Sequence, residues 1–154
     1  MSRTAPSRDQ LIATALDFIQ SYNQWDLQAI MAIRSPICVH HTLPATLEVP
    51  PRPNADYQTF MGPMLSAFRA VHFSVISDDE TVVDAETRRV VLHCSNRADT
   101  DAGEYRNEYM FTLTMSEDGK KIDKIVEFID AAYTAEFKRR MSLVRASAHI
   151  VNDE

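Results

Sequence analysis

Apolar residues recur at three- and four-residue spacing near the start of the chain, where Leu11, Ala15, Phe18, Ile19 and Tyr22 form one stripe up to about Asn23, the pattern of an amphipathic helix. Ser7-Arg8-Asp9-Gln10 precedes it and reads as a capping box, with Ser7 accepting from the Gln10 amide and the Gln10 side chain reaching back. Asp26 is placed to cap a second, short helix, antiparallel to the first, whose inner face is Leu27, Ile30 and Met31. Ser35-Pro36 ends it, because the residue before a proline disfavours the helical region. Ile37 to Leu43 reads as a strand, and Pro44 to Pro53, with four of the seven prolines, as a long irregular loop. Tyr57, Phe60, Met61, Met64, Leu65 and Phe68 make a third helical stripe, with Asn54 as its cap and a kink at Gly62-Pro63.

From His72 to Asp130 the chain alternates and is rich in Val, Ile, Thr, Tyr and Phe, with breaks at Asp78-Asp79, Asp84 to Thr87, Thr100 to Gly103 and Ser116 to Lys120. Four antiparallel strands joined by hairpins are predicted. Ala131 to Met141 is a terminal helix, and Ser142 to Glu154 either extends it or forms a loose tail. Helices first and strands afterwards give an α+β fold in which a curved antiparallel sheet wraps around the N-terminal helices as a cone or cup. No repeat or linker divides the chain, so residues 1–154 are expected to be one domain with a core at about 8–141.

Composition narrows the function. The 154 residues are 45% apolar and 25% charged with a formal net charge of -6, which offers no positive field to nucleic acid or anionic lipid. No apolar run approaches the roughly 20 residues of a membrane helix, and the polar start at Met1 to Asp9 points to a cytoplasmic protein. Three glycines leave no phosphate-binding loop. Cys38 and Cys94 stand far apart within apolar runs and read as inert, buried thiols. His40 and His41 are adjacent on a strand and point opposite ways, so they do not share a metal, and no other metal-ligand spacing exists. Which of the two enters the cup stays open.

Strand alternation sorts the remaining polar residues by face. In Ile122 to Asp130 one face carries Lys124, Val126, Phe128 and Asp130, and the other carries Asp123, Ile125, Glu127 and Ile129. A carboxylate between two isoleucines is either desolvated, which suits acid/base work, or paired with a cation. Tyr105, Asn107, Tyr109, Phe111 and Leu113 share the apolar face of the preceding strand, where Asn107 and Tyr109 offer neutral hydrogen-bonding groups. Arg106 and Glu108 fall on its outer face. His93 and Ser95 share a face one strand earlier, while Val90, Leu92, Cys94, Met110 and Val126 are assigned to the outside, an apolar surface that predicts a homodimer. Tyr22, Tyr57 and Met61 serve as core or pocket wall.

Val39-His40-His41-Thr42-Leu43-Pro44 after two helices, and Gly103 to Tyr109 leading through Asp118-Gly119-Lys120 to Ile125-Val126-Glu127-Phe128-Ile129-Asp130, give an order of elements that resembles the nuclear transport factor 2-like superfamily. Within it the chain is similar to the SnoaL-like group over roughly Arg8 to Phe137. The resemblance implies a cone with a deep apolar cavity, usually in a homodimer, and is nearest to fungal isomerases that tailor xanthone, anthraquinone and meroterpenoid skeletons. By its match to the limonene epoxide hydrolases, Glu127 takes the position of the carboxylate that holds a reactive water, His40 and Thr42 stand beside it, and His93 and Ser95 fall near an Arg and an Asp of those enzymes. The expectation is a cofactor-independent and metal-independent isomerase of a polycyclic phenolic or β-dicarbonyl polyketide of the xanthone type. His40 would be general base or proton shuttle, Glu127 its partner or the acid, and Asn107 with Tyr109 would polarise the enolate. Thr42, His93, Ser95, Tyr22, Tyr57, Met61, Phe111, Ile125 and Ile129 would bind the substrate. A dehydratase, cyclase or lactone hydrolase would use the same pocket, and a non-catalytic ligand-binding or dimerisation module would fill it with side chains.

Overall fold

The computed structural model describes residues 5–151. Helix α1 (Arg8–Asn23) starts at Ser7, whose hydroxyl accepts from the Gln10 amide at 3.1 Å. The Gln10 side chain does not reach back. It donates instead to Thr14 Oγ1 at 3.1 Å, and Thr14 donates to the Gly119 carbonyl at 2.5 Å. Gly119 has a φ of +73°, and a Cβ there would meet Pro6 at 2.6 Å, so glycine is what lets this distant turn sit on the start of α1. Helix α2 (Leu27–Ala32) is capped by Asp26, which accepts from the Ala29 amide at 2.9 Å. Strand β1 (Arg34–Leu43) begins three residues earlier than expected, before Pro36.

Within the proline-rich segment a two-residue strand, β2 (Arg52–Pro53), pairs with β1 through Val39 and His40. Helix α3 (Asn54–Ala67) runs through Pro63 as one element, and Asn54 is its first residue rather than its cap. The Asn54 amide donates to the Ser35 carbonyl at 2.8 Å and so ties α3 to β1. Five strands follow, not four: β3 (Arg69–Val75), β4 (Val82–Asp84), β5 (Arg89–Thr100), β6 (Gly103–Met115) and β7 (Ile122–Ile129). The additional strand, β4, is too short for alternation to reveal. Helix α4 (Ala131–Val151) continues well past Met141, and the end of the expected tail lies outside the described residues.

The strands form one curved sheet in the order β2-β1-β7-β6-β5-β3, with β4 beside β5. It is not wholly antiparallel, because β1 and β7 run parallel, with His40 opposite Ile125 and Thr42 opposite Glu127. Helix α1 lies against the inner face. Phe18 meets Phe111 edge-on at 5.1 Å and Tyr22 at 5.2 Å, each fully buried ring contributing about 1.5–3 kcal/mol. Val90, Leu92 and Cys94 are also on this inner face and sealed from solvent, which corrects their expected outer position. His93 and Ser95 alternate with them and therefore stand outside, since a one-residue slip moves a whole set of side chains to the other face. Met110 and Val126 are outer residues, as expected. Both cysteines are free and buried, and burial pushes the Cys94 thiol up to about 12.

Candidate active site

Strand β1 turns Cys38, His40 and Thr42 to the inner face, and its parallel pairing with β7 brings Glu127 beside them. His40 Nε2 and Glu127 Oε2 are 2.7 Å apart. On the other side of the ring, Arg34 donates to His40 Nδ1 at 3.0 Å. A guanidinium has no acceptor, so this bond fixes the tautomer: Nδ1 presents its lone pair to Arg34, and Nε2 carries the hydrogen that His40 donates to Glu127. Burial above all lowers the imidazole pKa, the Arg34 and Arg52 charges add to this, and Glu127 opposes it. His40 therefore sits as a neutral imidazole between a cation and a carboxylate. Expected as base or shuttle, it has both nitrogens engaged.

The array is boxed in by tyrosines. The Tyr57 ring stacks on His40 with centroids 4.6 Å apart, and the Arg34 guanidinium lies 3.7 Å from the centre of the same ring. Arg34 also donates to the Tyr22 oxygen at 3.4 Å, and Tyr22 and Tyr57 hydroxyls are hydrogen-bonded to each other. Burial raises both phenols, and they stay protonated. His40 and Arg34 are 2% and 5% exposed, whereas the Glu127 side chain retains 19%. Glu127 Oε1 has no hydrogen-bond partner among the described residues. The carboxylate is thus the one member of the array that a ligand can touch.

A second polar cluster lies on β6. Asn107 donates both amide hydrogens, to the Tyr105 hydroxyl at 2.8 Å and to Thr134 Oγ1 at 3.0 Å, while its oxygen accepts from the Glu108 amide at 2.8 Å. Expected as an oxyanion donor, Asn107 instead fastens β6 to α4. Tyr105 and Tyr109 hydroxyls are 3.1 Å apart, and both phenols feel the Glu127 charge, Tyr105 and Tyr109 each being raised by burial first. Tyr105 is a site residue that its place on the apolar face could have revealed. Thr42, Ile129, Met61, Tyr22 and Tyr57 are on the inner side near the array, while Phe111 and Ile125 are sealed in the core behind it.

His93 and Ser95 do not join them. They line a groove of about 570 Å³ on the outer face, together with His72, Arg97, Arg106 and Glu108. There His93 is held between Glu80 and Glu108, and their hydrogen bonds raise its pKa. Arg106 pairs with Glu104 on its own strand. This groove is open to solvent, and His93 and Arg106 in it are each held by carboxylates. His41 faces outward beside Lys124. Arg34 is the member of the array that sequence reasoning missed. Its position before Ser35-Pro36 reads as a helix end, although it shares parity with Cys38 and His40 once β1 is extended back through Pro36. Among the described residues no group of three or more His, Cys, Asp or Glu side chains is arranged to hold a metal ion, and no helix is long and apolar enough to cross a membrane.

No family model matches the chain. It is 33% identical over 140 residues to austinoid biosynthesis clusters protein S of Penicillium brasilianum, covering 91% of this chain and 96% of that protein. The crystal structure of BvnE pinacolase from Penicillium brevicompactum superposes with a TM-score of 0.86 at 28% identity, covering 90% of this chain and 98% of the other. A SnoaL-like polyketide cyclase from Shewanella denitrificans shares the fold alone, with a TM-score of 0.69 at 12% identity over 84% of this chain and 96% of that one. The chain therefore belongs to the family of the austinoid biosynthesis cluster proteins, fungal secondary-metabolite proteins, and has the cone fold seen in the SnoaL-like cyclase.

Proposed function

We propose that the protein is a tailoring enzyme that isomerises a polycyclic, enolisable ketone by proton transfer without a cofactor, and that Glu127 takes and returns the proton. The hydrogen-bonded array of Arg34, His40 and Glu127 carries this reading. Arg34 holds His40 in the tautomer that donates to Oε2, which leaves Oε1 free to accept a proton from a C–H next to the ketone. The developing enolate oxygen would be met by the phenols of Tyr109 and Tyr105, protonated by virtue of their burial. Return of the proton to a different atom gives an isomer of unchanged mass. Likeness to a pinacolase and to proteins of austinoid biosynthesis supports a role in remodelling a fungal metabolite skeleton. A homodimer is proposed with it, formed through the outer sheet face where Ile76, Met110 and Phe128 are about half exposed.

Incubation of the purified protein with fungal polyketide and meroterpenoid extracts should convert one component into a product of the same mass and different retention, carrying deuterium when the reaction runs in heavy water. Glu127→Gln keeps the shape and loses the base, so turnover should fall roughly 100- to 10,000-fold, the usual contribution of a positioned acid/base group. A product differing by one water, or near-normal turnover of the Gln variant, would reject the mechanism.

A further inference from the structure

In the whole sequence a serine or threonine follows a basic residue by three positions at two places, Thr100 after Arg97 and Ser142 after Arg139. The fold separates them. Thr100 is 7% exposed, and its hydroxyl donates to the Gly103 carbonyl at 2.7 Å in the turn between β5 and β6. Ser142 is exposed on α4 and donates to the Lys138 carbonyl one turn back at 3.0 Å. Arg139-Arg140 precede it, and Leu143, 56% exposed, follows it. Cations ahead of a hydroxyl and an apolar side chain behind it form a pattern that a protein kinase reads with an acidic cleft and an apolar pocket. The second half of α4 is open to such a partner. Phe137 packs against Phe68 and Tyr105, and Thr134 accepts from Asn107, so the first turns are docked on the cone. From Ser142 to Ala148 no side chain is buried, and the Ser142 and Ser147 hydrogen bonds stay within the helix. A helical stretch this short without a packed face is marginal in water.

We propose that Ser142 is a phosphorylation site, recognised through Arg139 and Leu143 by a serine/threonine kinase of basic-residue specificity when α4 opens locally from Arg139 onward. Arg139 pairs with Glu136 at 2.8 Å, both side chains being more than half exposed, and a surface pair of this kind yields easily. Opening also releases Arg140 from the Ala102 carbonyl and the Tyr133 hydroxyl, while Thr134 and Phe137 stay docked. The γ-phosphoryl group of ATP passes to Ser142 Oγ, its bond to the β-phosphate oxygen breaks, ADP leaves, and the hydroxyl proton goes to the kinase's catalytic carboxylate. Lys138, Ser142 and Arg145 stand one above another at four- and three-residue spacing, with Arg139 beside them. The phosphate therefore lands among three cations, draws Arg139 away from Glu136, and lowers the charge of this stripe from +3 to about +1.

The purified protein is incubated with magnesium, ATP and the catalytic subunit of cyclic-AMP-dependent protein kinase, and the modified positions are mapped by peptide mass analysis. One phosphoryl group per chain is expected, on Ser142. Ser142→Ala should abolish incorporation. Arg139→Ala should slow it about tenfold or more, the loss of one charge-assisted hydrogen bond to the kinase, and Ser147→Ala should leave the rate unchanged. Amide hydrogen exchange should run faster from Ser142 to Ala148 than from Thr134 to Phe137, because the local opening precedes the transfer. No incorporation, incorporation that survives in Ser142→Ala, a rate indifferent to Arg139→Ala, or equal labelling of Thr100 in the native protein overturns the inference. Equal exchange protection along α4 overturns the opening on which it rests. Site mapping on the wild type decides alone if a variant folds poorly.

Discussion

Replacing Arg34 with Met tests the array at its buried end. The guanidinium donates to His40 Nδ1 at 3.0 Å and to Tyr22 at 3.4 Å, and it lies 3.7 Å from the Tyr57 ring centre. Methionine fills much of the same volume, so the loss is one of charge and hydrogen bonds rather than of packing. Removing one partner from a buried ionic array costs about 3–5 kcal/mol in general. Two features of this site point to the lower end: Glu127 is 19% exposed, and Arg34 Nε is buried without a partner already. About 3 kcal/mol is expected, which for a chain of this length corresponds to a fall of roughly 6–12 °C in thermal midpoint. The second readout is the His40 ring itself. Without the Arg34 charge, Nδ1 is free to take a proton, the imidazole pKa rises, and the ring pairs with Glu127 as an imidazolium, which NMR titration of the ring protons would follow. A midpoint within about 2 °C of the wild type, together with an unchanged His40 titration, would show that Arg34 neither stabilises the array nor sets its tautomer.

Asn107→Ala removes three hydrogen bonds, one of which, to Thr134, joins β6 to α4, and should cost about 1–3 kcal/mol in urea unfolding, while turnover falls far less than in Glu127→Gln; a loss as large as that variant's would return Asn107 to the catalytic group. Stability should decline as pH falls below about 6.5, the value of a free imidazole, because the folded protein holds the His40 pKa below it. His93 acts in the opposite sense: Glu80 and Glu108 raise it, so its contribution is present below about pH 6.5 and fades as pH rises through the folded value. His93→Gln should accordingly steepen the acid-side decline of the urea midpoint, and a flatter one would contradict this balance. Light scattering should give twice the 17.5 kDa of the single chain, and Met110→Glu with Phe128→Glu should yield a monomer; a wild-type species of 17.5 kDa at micromolar concentration would exclude the dimer.

The N-terminal helices are legible because their signals are local. Ser7 and Asp26 cap from within one turn, and the stripe from Leu11 to Tyr22 needs no knowledge of the rest of the fold. Glu127 is legible for a similar reason, being flanked on its own strand by Ile125 and Ile129. β5 shows where such reasoning fails. Its alternation already places Val90, Leu92 and Cys94 on one apolar face, but matching His93 and Ser95 to polar positions of epoxide hydrolases pulls the reading toward the opposite face. Burial of three apolar side chains decides the matter in the molecule. Arg34 is missed because it looks like the end of a helix, and Asn54, expected as a cap, is the first residue of α3; their partners, His40 and Ser35, become neighbours only once β1 extends back through Pro36 and packs against α3. Asn107 is legible as an inner residue from alternation alone, yet its role depends on Thr134 in a helix that follows the sheet.

The parallel pairing of β1 with β7 has a consequence for the order of assembly. His40 and Glu127 are 87 residues apart, and closing a flexible loop of that length costs about 4 kcal/mol of chain entropy before any contact across it is gained. Contacts of such separation form late in folding, and β7 is among the last strands to leave the ribosome. Until it docks, the imidazole faces no carboxylate, and the cone lacks the wall that connects its first strand to the hairpins. Under the proposed mechanism, proton transfer is thereby confined to the completed fold. A nascent chain, or a fragment ending before Ile122, carries Arg34 and His40 but lacks the Glu127 carboxylate.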